Sequence, residues 1–242
     1  AQTIVNTSGW DTDCNAGNVG CILGVRNGLV AFEEGPDWRG PVADRLYLPT
    51  ADGGRAISDA LRETDFIVET AYALHGEKWS RPKGGARFHF SLPGSVQGFQ
   101  SRDNLRVENT DHPTEPTQRA LAVHYQLESN GTSALLTSTF IPPEAMEMPG
   151  YGLLASSTLY PGQTVRATVL ADTKNSGSAA VAIQLQFYGQ EDKLFDIHGP
   201  HQNLAPGKSL GIEWQVPELD GAPIAMIGIC VSADQTAQGI LY

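Results

Sequence analysis

Hydrophobic and polar residues alternate in short runs along the carboxy-terminal two thirds of the chain, and Gly, Pro, Asn and Asp clusters separate the runs. Alternation with a period of two predicts β-strands, because successive strand side chains point to opposite faces of a sheet. Strands are predicted at residues 86–92, 121–127, 134–140, 153–160, 164–170, 180–188, 210–216 and 224–231. Strands at this spacing indicate an antiparallel, jelly-roll-like β-sandwich over residues 81–242, as one sandwich or two smaller ones.

The first 80 residues follow a different pattern. Residues 56–61 and 64–75 carry apolar side chains at helical spacing, and a linker with Pro82 and two glycines follows them. Nearer the amino terminus, an extended segment, residues 2–5, turns into a helix rich in small residues. The predicted fold class is therefore α+β with segregated parts, in which residues 1–80 are helical and residues 81–242 form the sandwich.

Two carboxylates, Asp11 and Asp13, lie two residues apart at the turn before the small-residue helix. Their charges repel each other unless a cation or a proton neutralises them, and Mg²⁺ prefers carboxylate oxygens. An EF-hand calcium loop is excluded, because its obligatory Gly and Glu positions hold Ala16 and Ile22. Two interpretations remain from these residues: side chains that cap the helix, and ligands of a magnesium ion.

The helix after this turn carries Gly17, Gly20 and Gly24 on one face. Each glycine in a helix interior costs about 1 kcal/mol relative to alanine. A helix face made of small residues offsets this loss of stability when another helix packs closely against it. This pattern predicts an all-helical core around the acidic turn and favours the magnesium interpretation.

With these features the segment resembles the carboxy-terminal metal motif of the ADP-ribosylglycohydrolase family. That motif is a Gly-x-Asp-Thr-Asp-(Thr/Ser) turn before an Ala/Gly-rich helix, and here it reads Gly9-Trp10-Asp11-Thr12-Asp13-Cys14. Gly35-Pro36-Asp37-Trp38 is similar to the Pro-x-x-Trp that follows the helix in many members, although it is one residue shorter. Residues 57–61 are similar to the start of a late helix of that fold, so the resemblance covers residues 1–80.

The resemblance implies an all-helical fold that holds two Mg²⁺ ions. In that family the ions bind a ribose and position a water molecule, which cleaves the bond at the anomeric carbon. Carried over to this chain, Asp11 and Asp13 are metal ligands, and Cys14 occupies the position of a Thr or Ser hydroxyl. A thiol is a poor ligand for Mg²⁺, so four interpretations of Cys14 remain. Water or a backbone carbonyl takes its place at the metal, the metal is a softer one, substrate binding differs, or Cys14 is an ordinary buried thiol.

The family also uses a Thr-Asp-Asp type cluster near its start, and no such cluster precedes Asp11 here. We therefore expect a missing N-terminal segment or a companion chain to supply the remaining ligands and the general acid or base. The predicted function is a magnesium-dependent, ADP-ribosylglycohydrolase-like hydrolase that cleaves an N- or O-glycosidic bond of a small molecule or a glycan. The alternative is a non-catalytic carbohydrate-binding or structural module that retains the helical motif.

Sandwich domains can also bind sugars through exposed aromatic rings. The candidate contacts are Tyr151, Tyr160, Phe187, Tyr188 and Trp214, although strand aromatics more often pack in a core.

Composition narrows the possible partners. A net charge of −11 and a pI near 4.9 disfavour nucleic acid, whose phosphates require a basic surface. The sequence has no apolar run of the ~20 residues that a membrane-spanning helix needs. A soluble protein is therefore predicted, and both secretion and a cytoplasmic location remain open.

Overall fold

The computed structural model describes residues 1–32, 36–48, 53–101, 103, 105–147, 153 and 156–242. These residues form the α-helices α1 (Gln2–Asn6), α2 (Thr12–Asn27), α3 (Ala60–Leu74) and α4 (Pro143–Met146). Short 3₁₀ helices span Gly28–Phe32, Gly40–Val42, Gly53–Arg55, Pro82–Gly85 and Gln190–Asp192. The strands are β1 (Arg45–Tyr47), β2 (Ile57–Asp59), β3 (Gln100–Ser101), β4 (Arg106–Asp111), β5 (Arg119–Leu127), β6 (Gly131–Ser138), β7 (Thr164–Leu170), β8 (Ala179–Tyr188), β9 (Leu194–His198), β10 (Gln202–Leu204), β11 (Ser209–Gln215), β12 (Ile224–Ala233) and β13 (Ala237–Leu241).

The chain divides into two compact units, residues 1–42 and residues 43–242. The predicted domain boundary between residues 80 and 81 therefore falls inside the second unit. Within the described residues, no helix is both long enough and apolar enough to span a bilayer.

The first unit contains α1 and α2, and neither helix buries a side chain. Val25 of α2 is 91% exposed. A Cβ atom added at Gly17 or Gly24 would meet no atom within 4 Å outside the local helix. At Gly20 the added Cβ atom would lie 3.8 Å from the side-chain Oε1 of Gln2 in α1. Within the described residues the small-residue face therefore has the five-residue helix α1 as a neighbour, but neither helix buries a side chain and the predicted all-helical core does not form there.

The predicted all-helical remnant over residues 1–80 is also wrong. Residues 45–47 and 57–59, β1 and β2, pair as an antiparallel hairpin inside the supposed helical domain. Helix α3 starts only at Ala60, after Asp59 ends the strand and accepts a hydrogen bond from the Arg62 backbone N–H. Extended residues thus occupy the position where the family resemblance implied the start of a late helix. Gly35 of the Pro-x-x-Trp similarity lies outside the described residues.

The second unit is mostly β-structure in two layers, which confirms the predicted sandwich. Sheet 1 has the strand order β10–β8–β12–β6–β3, and β9 pairs with the same edge of β8 as β10 does. Sheet 2 contains β11–β7 and β13–β5–β4. These two groups join where the backbones of Leu170 and Tyr242 exchange two hydrogen bonds of 2.8 Å.

One hydrophobic core lies between the two sheets, so the second unit is a single sandwich. Val181, Ile183 and Leu185 of β8 point into it, each with at most 1% of its surface exposed. Leu121 and Tyr125 of β5 are buried in the same core from sheet 2. The alternation of β8 follows directly, because every second side chain faces this core.

Six of the predicted strands form close to their predicted positions, and they correspond to β5, β6, β7, β8, β11 and β12. The predicted strand at 86–92 does not form: the backbone N–H groups of His89 and Phe90 both donate to the side-chain Oε1 of Gln97, each at 2.8 Å. The predicted strand at 153–160 lies partly outside the described residues, and residues 156–160 are not in a strand.

The three cysteines differ in exposure, so the reactivity of their thiols tests the fold of both units. Cys14 and Cys21 are exposed, whereas Cys230 on β12 is buried, and burial raises the pKa of its thiol to about 11. Because the thiolate is the reactive form, we expect two thiols of the native protein to react with a disulfide reagent and the third to react only after unfolding. The variant Cys21→Ser should lose one of the two fast equivalents. Three fast thiols in the native protein would contradict this packing of β12.

Candidate functional site

The predicted metal ligands come together at the start of α2. One ligand atom from each of Asp11, Asp13 and Cys14 lies within 4.8 Å of the other two, and all three residues are exposed. Asp11 has a left-handed backbone (φ 46°) and is the N-cap residue, but its side chain makes no capping hydrogen bond. The helix-cap interpretation therefore does not account for the Asp11 carboxylate.

The chemistry of this group favours oxygen over sulfur as a ligand. A hydrogen bond to Asp11 and the negative charges of Asp11 and Asp13 raise the pKa of the Cys14 thiol. A thiol binds metal as the thiolate, so this environment disfavours Cys14 as a ligand. Metal binding by Asp11, Asp13 and Cys14, and the two Mg²⁺ ions expected with it, stay predictions.

A second candidate site lies in the sandwich, on the face of sheet 1 that points away from the core. We call it the outer face. The register aligns its side chains in three rows across the strands: Ser138, Met226, Gln186 and Asp196; Gln100, Leu136, Gly228, Gln184 and His198; and Ala134, Cys230 and Ala182.

The third row and Leu136 form a small apolar cluster on the outer face. Ala182 and Cys230 have no exposed surface, and Leu136 has 1%. The sheet is therefore closed to solvent at this end of the outer face. The first two rows lie next to this cluster, and a ligand of the outer face would contact side chains of these rows.

Two glutamines of β8 form the polar centre of the outer face. They lie on the opposite side of β8 from the core residues and are still almost buried, with 4% of Gln184 and 2% of Gln186 exposed. The Nε2 of Gln186 donates to Oδ1 of Asp196 at 2.9 Å. Among the described residues, the side-chain amide of Gln184 has no hydrogen-bond partner. Its unpaired atoms are not fully buried, so solvent can reach them.

His198 pairs with Gln184 across the edge of sheet 1. Its ring centroid lies 5.6 Å from that of His201, the next His along the chain. Burial and the neighbouring His201 lower the pKa of His198, with Asp196 acting in the opposite direction. The ring is therefore neutral at neutral pH, and a neutral imidazole can both donate and accept a hydrogen bond.

Of the aromatic residues proposed from the sequence as sugar contacts, some pack at or near the core and others are partly exposed. Trp214 packs against the sandwich core, and Phe187 is next to Leu185 on the opposite face of β8 from Gln186. Tyr188 is half-buried at the end of β8, and its ring lies 6.0 Å from that of Phe140 in an edge-to-face arrangement. Tyr160 is 52% exposed. Tyr151 lies outside the described residues.

The sequence does not single out the residues of the outer face. Strand 180–188 is predicted correctly, but Gln184 and Gln186 are not singled out within it. Asp196 and His198 belong to a strand that was not predicted at all. The one available signal is the presence of two long amides in an otherwise apolar run, since a buried polar group needs a partner or a function.

No protein-family model matches this sequence, and no curated protein sequence matches it either. Solved structures with some similarity include carbohydrate-binding β-sandwich domains. The CBM22-1 xylan-binding domain from Paenibacillus barcinonensis Xyn10C is 12% identical with a TM-score of 0.45, over 64% of this chain and 86% of that chain. A second xylan-binding domain, from CBM 22 and formerly called x6b, is 15% identical with a TM-score of 0.44, over 66% and 92%.

A third similar structure comes from a study of promiscuous specificity in carbohydrate-binding modules of the β-sandwich superfamily. It is 16% identical with a TM-score of 0.49, over 67% of this chain and 61% of that chain. All three scores lie below 0.5, so the function proposed below rests on the residues of this chain.

These observations correct the predicted family, enzyme class and reaction. The all-helical domain of an ADP-ribosylglycohydrolase is absent from the described residues, which are mostly β-structure. The similar solved structures are named as carbohydrate-binding domains. The identification as a magnesium-dependent glycosyl hydrolase is therefore wrong, because the described residues do not form the helical domain on which it rested.

Proposed function

We propose that this chain is a non-catalytic carbohydrate-binding module and that the outer face of sheet 1 binds the glycan. The observation that carries the proposal is the unpaired amide of Gln184. The residue is 4% exposed, but its amide atoms are not sealed from solvent, so a ligand can reach them. A ligand hydroxyl, which both donates and accepts, would give this amide a hydrogen-bond partner.

The neighbours of Gln184 suit the same ligand. The neutral His198 ring across the strand pair and the Gln186–Asp196 pair in the next row add donors and acceptors along one line of the sheet. Tyr188 and Phe140 add apolar ring surface at the end of β8. Sugars present hydroxyl groups at their rim and C–H groups on their ring faces, so both kinds of surface have a counterpart.

The outer face favours binding over hydrolysis. Most enzymes that hydrolyse glycosidic bonds use two carboxyl groups on opposite sides of the scissile bond. Among the described residues of the three rows, Asp196 is the only carboxylate, and it already accepts a hydrogen bond from Gln186. The chemistry on this face is therefore recognition of hydroxyl groups, without a partner for acid–base catalysis.

Calorimetry with neutral oligosaccharides, including xylo- and cello-oligosaccharides, tests the proposal. We expect at least one of them to bind, and the variant Gln184→Leu to weaken that binding by about tenfold, since one buried hydrogen bond contributes about 1.4 kcal/mol. The same variant should unfold at the same or a higher temperature, because it removes an unpaired amide. The variant His198→Ala, at an exposed position, should also weaken binding.

Gln238→Leu is the matched control, because Gln238 is an exposed glutamine on β13 of sheet 2. It should keep the full affinity. If the wild-type protein binds none of the oligosaccharides, or if the Gln184 and Gln238 variants bind equally well, the outer face is not the site.

A further inference from the structure

A cavity of the second unit lies beside the first turns of α3. Its volume is about 440 Å³, within the size range of ordinary small-molecule pockets. Four arginines line it: Arg55, Arg62, Arg81 and Arg87. They stand out in a chain whose net charge is −11.

Three of these four guanidinium groups are already paired. Arg55 donates to Glu63 at 2.5 Å, Arg87 donates to Asp59 at 2.6 Å, and Arg81 forms an ion pair with Glu69. The cavity also contains Asp65, whose carboxylate is bound to the ring of His89 at 2.9 Å. The nearby carboxylates therefore have partners other than Arg62.

Arg62 is the exception among the described arginines of the cavity. Its guanidinium makes one long hydrogen bond, from Nη1 to the carbonyl oxygen of Ile57 at 3.4 Å. Burial and the positive charge of Arg87 lower the pKa of Arg62. A guanidinium has five N–H donors, so most of its hydrogen-bonding capacity has no partner in the described part of the chain. An anion would satisfy these donors, and a carboxylate matches the planar guanidinium with two parallel hydrogen bonds.

An aromatic ring lies at the same cavity. Phe66 is 49% exposed, and the guanidinium carbon of Arg55 lies 4.3 Å from its ring centroid. Arg55 holds the ring in place through a cation–π contact, while half of the residue stays open to solvent. An exposed ring attracts the C–H groups of a sugar, because its π-face carries partial negative charge.

We propose that this cavity binds a sugar that carries a carboxylate, with the carboxylate on Arg62 and the sugar ring against Phe66. This site lies on residues different from those of the outer face, so the proposal is independent of the function proposed above. It adds an acidic sugar to the ligands that the module can recognise.

The test is a calorimetric titration of the whole chain with a glucuronate-containing disaccharide and with its methyl ester, which has the same rings without the charge. We expect the acid to bind at least tenfold more tightly than the ester, and its affinity to fall as salt is added. Arg62→Gln should weaken binding of the acid by about tenfold or more, because charge-assisted hydrogen bonds are lost. Phe66→Ala, a change at an exposed position, should weaken it as well.

Two controls separate this site from other effects. Arg166→Gln removes an exposed arginine of β7 and should leave binding of the acid unchanged. Gln184→Leu should also leave it unchanged, so this site can fail or succeed independently of the outer face. The proposal is overturned if the acid does not bind, if Arg62→Gln and Phe66→Ala both bind it normally, or if the ester or inorganic sulfate binds as tightly as the acid.

Discussion

Asp59→Ala is expected to lower the free energy of unfolding by about 3–4 kcal/mol. Asp59 has 1% of its surface exposed and makes three bonds. Its Oδ1 accepts from the Arg62 backbone N–H at 2.8 Å and from Nε2 of Gln97 at 3.2 Å, and its Oδ2 accepts from Arg87 at 2.6 Å. Alanine removes the cap of α3, at about 1 kcal/mol, and leaves Arg87 without its carboxylate. The Arg87 side chain is 35% exposed, so water offsets part of the lost ion pair and the total stays near 3–4 kcal/mol.

Urea denaturation of the whole chain measures this loss. Asp111→Ala is the matched control, since Asp111 also pairs with an arginine, Arg119, but its side chain is 81% exposed. An exposed ion pair contributes about 0–1 kcal/mol, so the control should unfold near the wild-type midpoint. Equal midpoints for the Asp59 and Asp111 variants would mean that Asp59 does not connect α3 to residues 87–97.

Gly228→Ala is expected to destabilise the sandwich by about 3 kcal/mol. Gly228 lies in the central strand of sheet 1, where an added Cβ atom would lie 1.8 Å from the carbonyl oxygen of Leu135 on β6. The obstacle is backbone, which cannot rotate away, so β12 and β6 must shift apart. Overpacking of this kind costs about 1–3 kcal/mol, and the upper end applies where a backbone must move.

Gly211→Ala on β11 is the control for Gly228→Ala, because a Cβ atom at Gly211 meets no atom within 4 Å. It should leave stability unchanged or raise it by about 0.5 kcal/mol, since glycine weakens a strand. Thermal unfolding of the two variants side by side gives the comparison. Similar unfolding temperatures for both would contradict the register of β12 on β6.

Strands were predicted correctly from the sequence where apolar and polar residues alternate and one face of the strand packs in the core. Residues 164–170 and 180–188 show this clearly, and both form strands at these positions. The prediction failed at short strands without clean alternation. β9 (Leu194–His198), at the edge of sheet 1, has mostly exposed side chains on both faces, and β13 (Ala237–Leu241) contains Gly239. Such strands form because a neighbouring strand supplies backbone hydrogen-bond partners. The sequence of the strand itself does not show which neighbour that is.

The helical prediction for residues 1–80 failed for a different reason. The short motif around Asp11 and Asp13, with three well-spaced glycines, predicts a packed helical domain that the described residues do not form. Gly17 and Gly24 of α2 have open space around them and Gly20 lies against Gln2 of the short α1, so the spacing of the glycines did not indicate a packed helical domain. The ligand atoms of Asp11, Asp13 and Cys14 lie close together at the start of α2, and metal binding by them stays a prediction.

The sequence carries only one signal for the candidate site on the outer face, two amides in an apolar run, and it does not show the rest of the site. Gln184 and His198 are 14 positions apart, and only the register of β8 on β9 places them side by side. Whether an amide in a strand lacks a partner depends on every neighbouring element, so Gln184 becomes informative only in the folded chain. The arrangement of polar residues on the outer face is therefore harder to predict from the sequence than the residues of the core are.

The most direct test of glycan binding by the outer face is a nitrogen–proton NMR titration of the whole chain with a neutral oligosaccharide that binds. We expect the largest shifts at the side-chain amide of Gln184 and at the backbone of β8 and β9, from Gln184 to Gln186 and from Asp196 to His198. Sheet 2 should change little. Shifts confined to β5 and β13, or to the first 42 residues, would contradict the outer face as the binding surface.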